Sequence, residues 1–245
     1  MKVAALIPAR LASTRFPEKP LALILGKPMI LWVAKLTAKA VGLENTYVAT
    51  DAEKIAQVVR AAGFQVVMTS PDALTGTDRI AEAAEQIDAD VFINVQGDEP
   101  MLDPASISKV IDSAKQHPGT VINGYAPIPQ SEDPANVNLP KCAIATDGRL
   151  LYMSRAAIPA YKDHNKRQTV YYKQVCIYAF TRKQLEAYVS VSEKAPCEQS
   201  EDIEILRFLD LGYEVRMIEL PGDTLAVDAP SDVVLVESAI RDAGY

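Results

Sequence analysis

The stretch Lys2-Val3-Ala4-Ala5-Leu6-Ile7-Pro8-Ala9-Arg10-Leu11-Ala12-Ser13-Thr14-Arg15-Phe16-Pro17-Glu18-Lys19-Pro20 decides how the chain is read. Residues 3–7 are apolar without alternation and stop at Pro8, the pattern of a short strand buried on both faces of a parallel sheet. Arg10, Ser13, Thr14, Arg15 and Lys19 follow at once, in a loop punctuated by Pro17 and Pro20. Phosphate oxygens take fork-shaped Arg donors, a mobile Lys ammonium and hydroxyl or backbone N–H groups. Open α/β folds also bind ligands beyond the carboxyl ends of their strands, so this loop can wrap a polyphosphate. A solvated basic loop is the plainer alternative for any one of these cations. Neither Gly-x-x-x-x-Gly-Lys-Ser/Thr nor Gly-x-Gly-x-x-Gly occurs here, and side-chain cations take the part that glycines play in those loops.

Outward from this stretch, residues 28–41 carry Met29, Ile30, Trp32, Val33, Leu36 and Ala40 at helical spacing, opened by Pro28 and closed near Gly42. Trp32 reads as a core residue. Residues 46–50 and 65–68 read as strands around a helix at 53–62. This βαβαβ alternation predicts a three-layer, right-handed wound, mostly parallel sheet. Thr75-Gly76-Thr77-Asp78-Arg79 opens a further helix reaching about residue 87, and simple N-capping accounts for its hydroxyls. Residues 90–95 form another apolar strand running into Gln96-Gly97-Asp98-Glu99-Pro100. Carboxylates at a strand end can hold a hard cation: Mg²⁺ uses few protein oxygens and fills its octahedron with phosphates and waters. An acidic turn after a strand is otherwise common.

After a helix at 104–116 the pattern changes. Residues 121–127, 141–146, 150–154 and 169–180 read as strands without long intervening helices, a mixed or antiparallel extension. Helices are predicted at 182–188, 200–211 and 233–240, with a strand at 215–220. Glu198, Glu201, Glu204 and Arg207 fall at spacings of three, which ordinarily makes a solvated face.

The 245 residues, 49% hydrophobic and 23% charged, are ordinary globular composition and can bury a large core. A net charge of −7 argues against nonspecific nucleic-acid binding, which needs an excess of Lys and Arg. Cys142, Cys176 and Cys197 are scattered and only His117 and His164 are present, so a Cys/His metal site is not expected; the thiols read as buried small apolar groups. No apolar stretch approaches the roughly 20 residues that span a bilayer. A cytoplasmic, reduced protein without membrane insertion is expected.

The opening motif Ile7-Pro8-Ala9-Arg10-x-x-Ser13-Thr14-Arg15-x-Pro17-x-Lys19-Pro20-Leu21, continued by Gly26-Lys27-Pro28-Met29-Ile30, resembles the N-terminus of the sugar-activating cytidylyltransferases. The match is best to the 3-deoxy-manno-octulosonate (Kdo) cytidylyltransferases, and it recurs along nearly the whole chain. Further matching segments are Thr75-Gly76-Thr77-Asp78-Arg79, Gln96-Gly97-Asp98-Glu99-Pro100, Ser154-Arg155-x-x-Ile158-Pro159 and Val227-Asp228-Ala229-Pro230-x-Asp232. The resemblance implies a single domain with a nucleotide-diphospho-sugar transferase-like fold, whose strand-rich part at about 120–180 carries the acceptor site and a homodimer contact. It implies CTP and a sugar acid as substrates and lipopolysaccharide sugar activation as the context. The nucleotide would meet Pro8, Ala9, Arg10, Ser13, Thr14, Arg15, Lys19, Thr77, Arg79, Gln96 and Asp98. Asp98 and Asp228 would hold Mg²⁺, while Arg10, Arg15 and Lys19 stabilise the leaving pyrophosphate. On the acceptor side it implies Gln96, Lys141, Ser154, Arg155, Gln174, Tyr178, Glu201, Glu204 and Ile205, with Lys141 and Arg155 placed to pair with the acid's carboxylate.

Two departures from the family pattern bear on the acceptor. Lys173-Gln174-Val175-Cys176-Ile177-Tyr178 has Gln174 where the family has His, and Ile203-Glu204-Ile205-Leu206-Arg207 has Ile205 where it has Gln. A Kdo variant such as 8-amino-3,8-dideoxy-octulosonate, or another nonulosonic acid, is therefore an alternative acceptor. Two other classes compete with this reading. A glycosyltransferase usually carries Asp-x-Asp, whereas Gln96-Gly97-Asp98 lacks the first Asp, and a noncatalytic nucleotide-binding protein would be expected to lose its metal ligands.

Overall fold

The apolar run behind the opening loop is a strand, β1 (Val3–Ala9), in a computed structural model that describes residues 1–12, 16–163, 170–222 and 225–243. Ser13, Thr14, Arg15, His164 and Thr169 lie outside the described residues. After β1 come a two-residue hairpin of β2 (Leu23–Ile24) and β3 (Lys27–Pro28), then α1 (Met29–Val41), β4 (Thr46–Thr50), α2 (Glu53–Ala61), β5 (Gln65–Met68), α3 (Gly76–Ala84), β6 (Val91–Val95) and α4 (Pro104–Gln116). The second half contributes β7 (Val121–Pro127), β8 (Lys141–Ile144), β9 (Leu150–Ser154), β10 (Tyr172–Thr181), α5 (Arg182–Val189), α6 (Pro196–Glu201), α7 (Ile205–Asp210), β11 (Val215–Glu219) and α8 (Pro230–Asp242).

The main sheet runs β11-β7-β10-β6-β1-β4-β5. β1 lies at its centre, parallel to β4 and β6, with Ile7 opposite Val48 and Ala5 opposite Ile93. β10 is antiparallel to both β6 and β7, while β11 returns parallel to β7. The extension is therefore mixed, and β8 and β9 hang from it as a hairpin joined to β10 at Lys141–Lys173.

Alternation along β1 divides the core. Ala4 and Leu6 pack with Phe92, Tyr178, Phe180, Tyr188 and Phe208 beneath α3, α5 and α7. Ala5, Ile7 and Ala9 pack with Ile93, Val95, Ile107 and Val110 beneath α1, α2 and α4. Each wholly buried Ile or Phe in these layers contributes roughly 1.5–3 kcal/mol, and all five residues of β6 are buried. A third, smaller cluster of Ile24, Met29, Val227, Val236 and Ile240 seats α8 against the hairpin, with Trp32 packed on it. Trp32 Nε1 donates to the Ile24 carbonyl at 2.9 Å.

Two local features depart from the sequence expectations. The hairpin turns at Leu25 and Gly26, both at positive φ (49° and 75°), as a two-residue turn matching strand twist requires. The helix predicted at 200–211 is two helices, α6 and α7, separated at Asp202, which takes the left-handed conformation (φ 50°, ψ 51°). That break changes the phase of everything after it. Glu198 and Arg207 are 0% and 1% exposed, so the expected solvated face is a buried ion pair instead. Among the thiols Cys142 is buried, Cys176 half-buried and Cys197 exposed, the last against expectation.

Candidate active site

The carboxyl ends of β1 and β6 meet where Gly97 passes under Pro8: a Cβ at position 97 would stand 3.0 Å from the Pro8 carbonyl oxygen. Glycine lets the two strand-end loops touch, and the cleft opens above them. Its first chamber, about 330 Å³, is lined by Pro8, Ala9, Arg10, Lys19, Arg79, Gln96 and Asp98, all expected nucleotide residues. Thr75, Gly76, Lys194, Asp202, Glu204 and Asp228 also face it.

Asp98 and Asp228 come from segments far apart in sequence. They are brought together by a backbone bond from Val227 N to the Asp98 carbonyl at 2.9 Å. Asp232 then fixes the start of α8, accepting from the N–H groups of Asp228 (2.9 Å) and Ala229 (2.8 Å). Lys19 completes the arrangement: its Nζ lies 2.6 Å from Asp98 Oδ2 and 3.7 Å from Asp228 Oδ1. Two carboxylates thus converge on one cationic centre. Mg²⁺ is commonly held by one or two carboxylates plus phosphate oxygens and water, so this donor pair suits it. Among the described residues no cluster of three or more His, Cys, Asp or Glu side chains forms a fuller cage.

Thr77 does not face the chamber. It is 1% exposed, and its Oγ1 donates to Glu204 Oε2 at 2.6 Å while its N–H donates to the same oxygen at 2.9 Å. Gly76 N–H donates to Glu204 Oε1 at 3.0 Å. Glu204 therefore caps the first turn of α3, a favourable place for a carboxylate. Burial nonetheless lifts its pKa above the usual range, although the bonds from Thr77 and Gly76 oppose the shift. Arg79, 3% exposed, is anchored by donation to Thr69 Oγ1 and the Ser70 carbonyl and lies 3.7 Å from Asp51.

A second chamber of about 680 Å³ adjoins the first, lined by Gln96, Arg155, Gln174, Tyr178 and Glu204 from the expected acceptor set. Arg155 spends three of its five N–H donors on the carbonyls of Glu201, Val137 and Asp202. Two N–H groups remain, and Arg155 lines the chamber. Four expected residues do not line this chamber. Lys141 is 0% exposed, and its ammonium bonds the carbonyls of Asn136 and Arg155, pinning the loop before β8 to the end of β9. Burial, before the repulsion of Arg155, lowers its pKa. Ser154 Oγ donates to Glu201 Oε1 at 2.7 Å and Arg155 N–H to Glu201 Oε2 at 2.8 Å, so Ser154 and Glu201 brace Arg155 from behind. Ile205 is 1% exposed and belongs to the core, because the turn at Asp202 directs Ile203 and Glu204 to the cleft and Ile205 inward.

Sequence reasoning missed Lys194, which bonds Asp202 Oδ1 at 2.7 Å, and Lys173, which bonds both oxygens of Glu132 at 2.7 and 2.9 Å. Glu99, in the acidic turn after β6, also lines the second chamber. Nothing in the sequence marked Lys194 or Asp202, because the left-handed turn that lifts Asp202 into the cleft is set by tertiary packing. Both chambers share Gln96, Asp98, Asp202, Glu204 and Asp228 as a common wall.

The wound sheet and a cleft at its carboxyl edge define a nucleotide-handling α/β enzyme. A family model described as "Cytidylyltransferase" matches residues 4–217, and the chain belongs to that family. It is 42% identical over 241 residues to an 8-amino-3,8-dideoxy-manno-octulosonate cytidylyltransferase of Shewanella oneidensis, covering 95% of this chain and 96% of that one. It is 40% identical over 246 residues to a 3-deoxy-manno-octulosonate cytidylyltransferase of Geobacter metallireducens, covering 95% of each. Its fold is similar to that of a CMP:2-keto-3-deoxy-manno-octonic acid synthetase solved in complex with CTP, with a TM-score of 0.92 and 34% identity over 99% of this chain and all of the other.

Proposed function

We propose that the chain transfers CMP from CTP to the anomeric hydroxyl of a 3-deoxy-manno-octulosonate-type sugar acid, giving the CMP-sugar and pyrophosphate. The observation that carries this reading is the common wall. A nucleotide chamber and an acceptor chamber share Asp98 and Asp228, so the bond between their ligands would form beside these two carboxylates.

Arg10 and Lys19 line the nucleotide chamber and supply cations for the triphosphate, with Arg15 in the same loop outside the described residues. They counter the charge that develops on departing pyrophosphate, where electrostatic stabilisation has most effect. Asp98 and Asp228 would hold Mg²⁺, and Lys19 keeps the two carboxylates together. When bound, that ion neutralises phosphate charge and acidifies the sugar hydroxyl. Arg155, braced by Glu201 and Ser154, turns its spare donors to the acceptor's carboxylate. Holding both substrates against one wall converts a bimolecular encounter into an oriented one.

A homodimer is part of the proposal, supported by the β8–β9 hairpin that stands out from the sheet with Leu151 57% exposed. A cytoplasmic setting fits a consumer of CTP, and the cysteines Cys142, Cys176 and Cys197 are free. Among the described residues no helix is long and apolar enough to cross a membrane. The direct test is pyrophosphate release from CTP and Mg²⁺ with and without sugar acid. Release that depends on the acid supports the reading; CTP binding without release would make the chain a noncatalytic nucleotide binder.

A further inference from the structure

Among the described residues Arg10, Lys19, Arg79 and Lys194 are the cations lining the nucleotide chamber, and they are not equally committed. Arg79 is 3% exposed and spent on Thr69, Ser70 and Asp51. Lys19 is shared by the paired carboxylates Asp98 and Asp228. Arg10 stands exposed at the mouth. Lys194 differs from all three: it is held at 2.7 Å by Asp202, a carboxylate whose side chain is 74% exposed.

The backbone beside Lys194 is fixed while its side chain is not. The next residue, Ala195, donates its N–H to Glu198 Oε2 at 3.1 Å, and Glu198 is wholly buried and bound to Arg207. Asp202 closes α6 with its own N–H on the Glu198 carbonyl at 2.8 Å. Both members of the pair therefore hang from one buried glutamate, and both line the chamber. The flexible four-carbon stem of Lys194 can redirect its ammonium without moving the chain. The bond from Lys194 depresses the Asp202 pKa against the effect of burial, and the charges of Lys194, Arg155 and Arg10 depress it further. Asp202 is thus an anion standing where cations of both chambers converge.

An exposed ion pair contributes little, because water screens it and two mobile side chains must be held still. A charge-assisted bond to a phosphate oxygen is stronger, and a triphosphate offers many such oxygens. Returning Asp202 to water costs little, since most of its side chain is already solvated. We propose that Lys194 is a further nucleotide-binding residue, held by Asp202 before the nucleotide arrives and transferred to a phosphate oxygen when CTP binds. Asp202 acts through it, as a positioning residue that keeps the ammonium at the chamber wall and competes for it. The inference rests on the cytidylyl-transfer reading and adds a cation from outside the opening loop. The plain structural alternative is a staple across the six-residue α6.

The test is a double-variant cycle on the dissociation constant of CTP with Mg²⁺, for wild type, Lys194→Met, Asp202→Gly and the two combined. Methionine keeps an unbranched stem without the charge, and glycine accepts the left-handed backbone at position 202 (φ 50°). Lys194→Met is expected to weaken CTP roughly tenfold. Asp202→Gly is expected to tighten it roughly two- to fivefold, the worth of an exposed ion pair that no longer competes. That gain should fall to about half or less in the Lys194→Met background. Asp202→Asn gives the same direction if glycine loosens the turn. A staple makes both single variants weaken CTP, and a purely long-range field leaves the Asp202→Gly gain undiminished without Lys194. Either result overturns the proposal, as does an unchanged dissociation constant in Lys194→Met. A wild type that does not bind CTP overturns the transfer reading itself, a result distinct from all of these.

Discussion

Val227 donates its backbone N–H to the carbonyl oxygen of Asp98 at 2.9 Å, and this bond ties the segment leading into α8 to the strand-end loop after β6. The bond sets Asp228 beside Asp98 without using either carboxylate. Asp98→Asn and Asp228→Asn are each expected to lower kcat by about 10²-fold or more while the fold is retained, since the backbone link and the α8 cap by Asp232 survive the change. Rates of pyrophosphate release and the melting temperature check this. Near-normal rates in either variant would remove the carboxylate pair from the mechanism.

Arg10 is exposed at the mouth of the nucleotide chamber. Charge-assisted bonds to phosphate are worth about 1.5–3 kcal/mol, or roughly ten- to a hundred-fold. Arg10→Ala is expected to lower kcat/KM for CTP by that factor and to leave the KM for the sugar acid within about twofold. A loss shared equally by both substrates counts against a phosphate contact.

Arg207 and Glu198 form the most deeply buried charge pair described, with Nε to Oε2 at 2.6 Å and Nη2 to Oε1 at 2.7 Å. Arg207 also reaches Asp78 at 3.2 Å and lies 3.8 Å over the Tyr188 ring. Burial alone would depress the guanidinium's pKa, but the bonds to Glu198 more than offset it. Arg207→Met strands the Glu198 carboxylate in the core and is expected to cost about 3–5 kcal/mol. The double variant Arg207→Met/Glu198→Leu is expected to be more stable than the single one. Denaturant unfolding measures both, and a double variant weaker than the single one contradicts the account.

Glu204 gives a pH signature. Its folded-state pKa is raised, chiefly by burial, so its contribution to stability is full below the unfolded carboxyl value of about 4.3 and is lost as pH rises through the raised folded value. The melting-temperature difference between wild type and Glu204→Gln should therefore shift against the wild type as pH climbs from about 4 toward 8. A difference that moves in the wild type's favour with rising pH refutes the burial argument.

Much of the fold was legible because each buried strand is a short apolar run: β1, β4, β5, β6 and β7 stand where periodicity put them. The hairpin at Leu23–Pro28 left no such signal, since Leu25 adopts a positive φ that only packing and the bond from its N–H to Glu237 Oε1 maintain. The cleft was legible from Arg10, Lys19, Asp98 and Asp228, which carry chemistry by residue type. Ile205 and Lys141 lie away from the chamber lining for one reason: side-chain direction depends on phase. The left-handed turn at Asp202 and the register of β8 on β9 turn both inward, and neither can be read from composition or spacing.

The wall that Gln96, Asp98, Asp202, Glu204 and Asp228 give to both chambers makes the two ligands thermodynamic neighbours. Whatever factor bound CTP applies to the dissociation constant of the sugar acid, the sugar acid must apply to that of CTP, because the coupling free energy belongs to the pair. The sign follows from charge. The shared wall itself is rich in carboxylates, and a cation held there would change it for both ligands. A cation held at Asp98 and Asp228 would therefore make each ligand favour the other by the same factor, in either order of loading.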